Sequence, residues 1–207
     1  NKLGRIDPEW NVPGCFPEWE GCVVDRARSM FERDKNHPSI LFWSCGNESY
    51  AGTCIRAMAE FFRSQDDSRL VHYEGVFQNR AFEDISDMES RMYATPEEIR
   101  EYLSGPNPKP MLLCEYMHDM GNSLGGMEEY IQLQDEFAQY QGGFIWDFKD
   151  QALWRTDPLG RRVLGYGGDF GDRPSDYNFS ANGILFAGGR EKPAMQEVRY
   201  WYADEAT

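Results

Sequence analysis

The chain has 207 residues, the length of one domain and enough to bury a sizeable core without help from disulfides. Its 41% hydrophobic and 14% aromatic content, against 27% charged, excludes a disordered chain. Lys plus Arg total 21 against 35 Asp plus Glu, a net charge of -14 with no basic stripe, which argues against nucleic acid or an anionic membrane surface as partner.

No apolar run approaches the ~20 residues of a membrane span. Five irregularly spaced cysteines, with no CxxC pair, make a zinc site or disulfide framework a poor reading and fit a reducing compartment. The chain opens without Met in a polar, Pro-rich stretch, the expected look of a segment taken from a longer polypeptide.

In chain order, Trp19, Cys22, Val23, Ala27, Met30 and Phe31 repeat at the spacing of one helical face and predict a helix over 18–34. Pro38 blocks its continuation, and the unbroken run Ile40-Leu41-Phe42-Trp43 reads as a strand covered on both faces. Ile55, Met58, Ala59 and Phe62 mark a second helix, 70–73 a second strand, and 85–93 a weaker third, interrupted by charges. Thr95-Pro96-Glu97-Glu98 is a capping box with Pro in the first helical position, so a helix runs to about Leu103. Then come a strand at 111–114, a helical face from Met127 to Phe137 and a last strand at 143–148. Residues 151–189, rich in Gly, Asp and aromatics, are expected to form a long functional loop, closed by a helix over 193–202.

Strands alternating with helices imply parallel strands with helical crossovers, either an open doubly wound sheet or a (β/α)8 barrel, and five strand–helix units are visible where a closed barrel needs eight. In such folds the active site lies at the carboxyl ends of the strands. Those ends carry Gly46-Asn47-Glu48-Ser49, Glu115-Tyr116 with His118 close behind, and Trp146-Asp147. Two carboxylates on one rim are the machinery of glycoside hydrolysis; the plainer alternative is a pair of solvated loop-end acids. Trp43, Tyr73, Tyr93, Tyr116 and Trp146 fall near the same rim in this register, and flat rings pack on sugar CH faces. His118 has a plainer alternative too, satisfying a loop, and Glu115-x-x-His118 has the spacing of half a di-iron motif, without a second copy to complete it. His37 and His72 are read as structural.

The segment from Asn36-His37-Pro38-Ser39 to Trp43-Ser44-Cys45-Gly46-Asn47-Glu48-Ser49 resembles the acid/base strand of bacterial β-galactosidases of glycoside hydrolase family 2. Cys114-Glu115-Tyr116-Met117-His118-Asp119-Met120-Gly121-Asn122-Ser123 resembles that family's nucleophile segment, and Gly142-Gly143-Phe144-Ile145-Trp146-Asp147 its last barrel strand. The likeness continues through Gly167-Gly168-Asp169-Phe170-Gly171-Asp172 and Asn178-Phe179-Ser180-Ala181-Asn182-Gly183, covering about 25–193.

The resemblance implies a TIM-barrel fold of which this single segment, 1–207, supplies the C-terminal part, about strands 4–8. It makes Glu48 the general acid/base and Glu115 the nucleophile of a retaining double displacement on β-galactosides. Asn47 would bind the 2-hydroxyl, Tyr93 lie near the nucleophile, His118 bond a sugar hydroxyl and Trp146 form the platform under galactose. It further implies magnesium touching Glu48 and sodium held by the Phe179 carbonyl and Asn182, with the other ligands outside this chain. Ser175 replaces an Asn of some members, and Asp119 a small apolar residue. The remaining domains of a parent polypeptide, a homo-oligomer and the bacterial cytoplasm complete the expectation. The competing reading is a folded module that is catalytically silent or active only on complementation; thiol chemistry at Cys114 is a distant third, since Cys114 and Glu115 face opposite sides of a strand.

Overall fold

A computed structural model describes residues 11–106 and 108–203. The chain divides into two compact units, one formed by 1–91 with 105–112 and the other by 92–104 with 113–207.

In the first unit, helix α1 (Pro17–Asp34) starts on a proline that has no N–H to leave unpaired, with Glu18 and Glu20 in the first turn and Arg33 in the last, each sign matching the helix dipole. It packs Ala27 and Phe31 toward α2 (Thr53–Gln65), which buries Cys54, Ile55, Met58, Ala59 and Phe62 on one face. Strand β1 (Phe42–Ser44) runs parallel to β2 (Leu70–His72), with Trp43 opposite Val71.

The strand sits further along the chain than the apolar run suggested, and Trp43 is a core residue rather than a rim residue. Its ring stacks on Phe62 at 5.5 Å and lies 5.3 Å from Phe31, while its indole N–H donates to Asp66 at 2.9 Å. Tyr73 is likewise buried. His72 is structural as expected, its ring held between the hydroxyls of Ser44 (2.9 Å) and Ser90 (2.8 Å), with burial pushing its pKa down to about 4.

The expected strand over 85–93 does not form as such among the described residues. Arg80–Ile85 are 3-10 turns, and beyond them only single parallel bridges occur, Glu89 with Met111 and Met92 with Glu115. The reason is side-chain competition for the ladder: the Asp87 carboxylate accepts Val71 N–H at 2.7 Å and the Ser86 hydroxyl accepts Tyr73 N–H at 3.1 Å, donors that a strand backbone would otherwise take. Glu89 is buried with Arg80 and Arg91 on its carboxylate at 2.7–2.8 Å; burial works to raise its pKa, but the two guanidinium groups hold it below the ordinary value.

In the second unit, α3 (Pro96–Leu103) has the expected capping box, Glu98 N–H donating to the Thr95 hydroxyl and Thr95 N–H to the Glu98 carboxylate. Strand β3 (Met111–Tyr116), whose first two residues belong to the first unit, pairs with β4 (Tyr140–Ile145), and α4 (Met127–Glu136) connects them. Gly143 is required there, because a Cβ would lie 2.8 Å from that of Leu113. Tyr116, expected at the rim, is buried against Tyr130, its hydroxyl paired with that of Tyr202.

The expected loop over 151–189 contains an antiparallel hairpin, β5 (Leu153–Thr156) with β6 (Arg162–Gly165). Its turn is organised by Asp157, whose carboxylate accepts Leu159 and Arg161 N–H at 2.9 Å. The closing helix α5 is Met195–Trp201.

Candidate active site

In the first unit β1 leads into Asn47 and Glu48, both exposed. Cys45 N–H donates to the His72 carbonyl at 2.9 Å, continuing the ladder to the edge of the loop, and Gly46 takes a φ of 138°. Glu48 itself is left-handed, φ 49°, and its N–H donates to the carboxylate of Glu74 at 2.6 Å. A non-glycine residue in this region is strained and persists only where its surroundings hold it.

The second unit gathers the other candidates. Glu115, next to last in β3, is half-buried, and the Tyr93 hydroxyl donates to its Oε2 at 2.6 Å, while Tyr93 N–H donates to the Glu115 carbonyl at 2.9 Å. Met117, φ 53°, turns the chain so that His118 follows, and Tyr93 is also left-handed, φ 56°. The His118 ring lies 5.6 Å from that of Tyr93 and 5.8 Å from that of Phe179. Trp146, half-buried and joined to Asp147 by a cis peptide, is tied in through Trp146 N–H to the Tyr116 carbonyl (3.1 Å) and Asp119 N–H to the Trp146 carbonyl (2.9 Å). Glu115, Tyr93, His118, Trp146, Phe179 and Asn182 thus come from separate elements of one unit.

A cavity of about 640 Å³ opens beside Trp146 and Phe179, lined also by Tyr166, Phe170, Asp172 and Tyr177. Aromatic walls with a few carboxylates suit a ligand that is apolar on its faces and polyhydroxylated at its edges.

Asn182 is buried; its amide N–H donates to the Phe179 carbonyl, and its Oδ1 has no hydrogen-bond partner. An orphaned buried oxygen beside a carbonyl is the donor chemistry of a hard cation. Among the described residues no group of three His, Cys, Asp or Glu is arranged to hold a metal. Ser175 serves the loop, its hydroxyl donating to the Gly167 carbonyl and accepting Tyr177 N–H.

Residues that sequence reasoning passed over hold this arrangement in place. Asp150 accepts Lys192 Nζ at 2.8 Å and Gly183 N–H at 2.9 Å, and Lys192 also donates to the Ala181 carbonyl, so one half-buried ion pair pins both flanks of Asn182. Gly183 admits no side chain, since a Cβ would lie 2.2 Å from Asp150 N. Asp119 is buried with Oδ2 unpartnered; burial raises its pKa, Lys192 opposes that, and Asp150 and Asp147 add to it.

Over residues 1–206 the chain matches the family described as glycosyl hydrolases family 2, TIM barrel domain, and it belongs to that family. It is 60% identical over 201 residues to a protein named beta-galactosidase from Halalkalibacterium halodurans, covering 97% of this chain and 20% of that protein. It is 62% identical over 205 residues to the beta-galactosidase large subunit of Latilactobacillus sakei, covering 98% and 33% respectively. The chain therefore spans between a fifth and a third of the length of these curated relatives. Among solved structures, a Bacteroides uniformis beta-glucuronidase superposes with a TM-score of 0.63 at 16% identity over 94% of this chain and 27% of that one. The beta-D-glucuronidase of Dictyoglomus thermophilum gives 0.62 at 18%, over 89% and 36%. At such identities these two likenesses speak for the fold alone.

Proposed function

We propose that this chain is the C-terminal part, about strands 4–8, of the catalytic barrel of a bacterial retaining β-galactosidase, acting on terminal non-reducing β-D-galactose residues. The observation that carries the reading is the Tyr93–Glu115 pair at the end of β3, a carboxylate steadied by a phenol at 2.6 Å beside His118, with Trp146 just past the end of the neighbouring strand β4. The β-galactosidase name of relatives 60–62% identical over nearly the whole chain supports galactose as the sugar.

In this reading a Glu115 carboxylate oxygen attacks the anomeric carbon as its bond to the leaving oxygen breaks, and Glu48 gives that oxygen its proton. Glu48 then takes a proton from water, whose oxygen displaces Glu115 from the same carbon, returning both residues to their starting states. Asn47 bonds the 2-hydroxyl, His118 another sugar hydroxyl, and Trp146 stacks on the sugar face. Asn182 Oδ1 and the Phe179 carbonyl are proposed as the residues that would hold sodium, which would supply a positive charge beside the sugar. Magnesium at Glu48 needs ligands from outside this chain. The name "large subunit" among relatives supports further subunits or domains, and a homo-oligomer of the full-length protein is proposed beside them. Five free cysteines support the cytoplasm.

A 2-fluoro-galactoside with a good leaving group tests the assignment in the full-length enzyme, because it arrests the second step. Mass spectrometry should locate the trapped sugar on Glu115, and β-galactose should be the first anomer released from an ordinary substrate. A label on another residue, or α-galactose first, overturns the mechanism. A second reading, that the 207-residue chain is silent until complemented, is favoured by its small share of its relatives' length. Turnover by the chain alone would refute that reading.

A further inference from the structure

The three residues that follow β2, Tyr73-Glu74-Gly75, all act on the loop that follows β1. Tyr73 is completely buried, and its hydroxyl donates to the Ser49 carbonyl at 2.6 Å. Gly75 lies so close to the same carbonyl that a Cβ would stand 2.2 Å from the Ser49 oxygen, so any side chain would push the loop away. Between them Glu74, 5% exposed, accepts Glu48 N–H at 2.6 Å. A carboxylate this deeply buried is expensive unless strong hydrogen bonds compensate it, and a peptide N–H at that distance is one such bond.

Its partner is a strained residue. Glu48 at φ 49° is in a backbone region disfavoured for any side chain with a Cβ. If the backbone of Glu48 relaxed to negative φ, its Cα–Cβ bond would swing away and its N–H would leave Glu74. The hydrogen bond, the Tyr73 clamp and the close approach at Gly75 all favour the left-handed state.

We propose that Glu74 is a positioning residue for the acid/base, fixing the direction of the Glu48 side chain by holding its backbone, with Tyr73 and Gly75 as the supports of that hold. The proposal rests on the assignment of Glu48 as general acid/base. Glu74 is buried below the surface, so its effect on the chemistry passes through the peptide group of Glu48. A positioning fault at the acid has a signature that general loosening lacks, since protonation matters only when the leaving group is poor.

The test uses the full-length enzyme and two aryl β-galactosides, one with a strongly acidic phenol and one with an unactivated phenol. Glu48→Gln is the reference and should lose about 10²-fold more kcat/KM on the poor substrate than on the activated one. Glu74→Ala should reproduce that asymmetry at about tenfold, and Glu74→Gln, which keeps an acceptor oxygen, should recover most of it. Tyr73→Phe, which preserves the core ring and removes only the bond to Ser49, should show the same asymmetry in smaller degree and serves if Glu74→Ala does not fold. Equal losses on both substrates for the Glu74 and Tyr73 variants, with the Glu48→Gln asymmetry intact, overturn this proposal alone. Absence of asymmetry in Glu48→Gln overturns the acid/base assignment beneath it.

Discussion

Tyr93→Phe removes one hydroxyl and leaves the ring against His118, so it isolates the 2.6 Å bond to Glu115 Oε2. A hydrogen bond to a charged group contributes roughly 1.5–3 kcal/mol. If that bond holds the nucleophile in line for attack, its loss appears in the barrier to glycosyl-enzyme formation, and at about 1.4 kcal/mol per decade the cost is roughly 10- to 150-fold in kcat/KM. The backbone bond from Tyr93 N–H to the Glu115 carbonyl survives the substitution, so the local fold should persist. The assay is kcat/KM on the same pair of aryl galactosides, with the thermal midpoint as a control. The loss should be similar for both, because the nucleophile attacks whatever leaves. A loss below about threefold with an unchanged midpoint would refute the positioning role, and a loss confined to the poor substrate would assign Tyr93 to proton transfer instead.

Three further outcomes follow from the buried polar groups. His72 stays neutral in the fold, with its pKa lowered from 6.5 to about 4, so the stability it protects is complete above pH 6.5 and declines as pH falls toward 4, by about 3 kcal/mol at most. Urea titrations from pH 7 to 4 should show that decline in the parent and not in His72→Gln; parallel curves would refute it. Asp119 has a raised pKa, so its contribution is intact below the ordinary carboxylate value and is lost as pH rises. Asp119→Asn should therefore melt higher than the parent at pH 7, with the gain shrinking in acid, and an equal or lower midpoint at pH 7 would count against the burial argument. If Asn182 holds the proposed sodium, Asn182→Ala, which removes the orphaned oxygen, should raise the sodium concentration for half-maximal activity of the full-length enzyme roughly tenfold; an unchanged sodium dependence would remove Asn182 from the proposed sodium site.

Where the chain's own periodicity decides structure, the sequence was legible. The face of α2 and the Thr95 capping box depend on residues within a turn or two of each other, and both appear as expected. Trp43 was misplaced because an apolar run covered on both faces carries no alternation to set its phase; the strand lies at Phe42–Ser44, with Trp43 in the core. The strand expected over 85–93 shrinks to single bridges at Glu89 and Met92, because at Ser86 and Asp87 hydroxyl and carboxylate oxygens take the neighbouring N–H groups, a substitution that pattern-reading does not register. The β5–β6 hairpin lay hidden among glycines and aromatics, although Asp157-Pro158-Leu159-Gly160 is a recognisable turn.

The candidate site shows the same division between local and distant causes. Glu115, His118 and Trp146 follow directly from strand ends, but the groups that hold the site act over long stretches of chain, Glu74 on Glu48 and Lys192 with Asp150 around Asn182. Backbone conformation was equally out of reach. Among the described residues five non-glycine positions have positive φ, and three of them, Glu48, Tyr93 and Met117, are the proposed acid/base, the phenol on the proposed nucleophile, and the residue before His118. No propensity favours Glu, Tyr or Met there, so the conformations are imposed by their surroundings, at Glu48 with the bond to Glu74 and at Tyr93 with the bonds to Glu115. A side chain aimed from a left-handed residue keeps its direction only while that backbone is held, so the strain at Glu48 and Tyr93 is a further reason to test these two residues together with the groups that hold them.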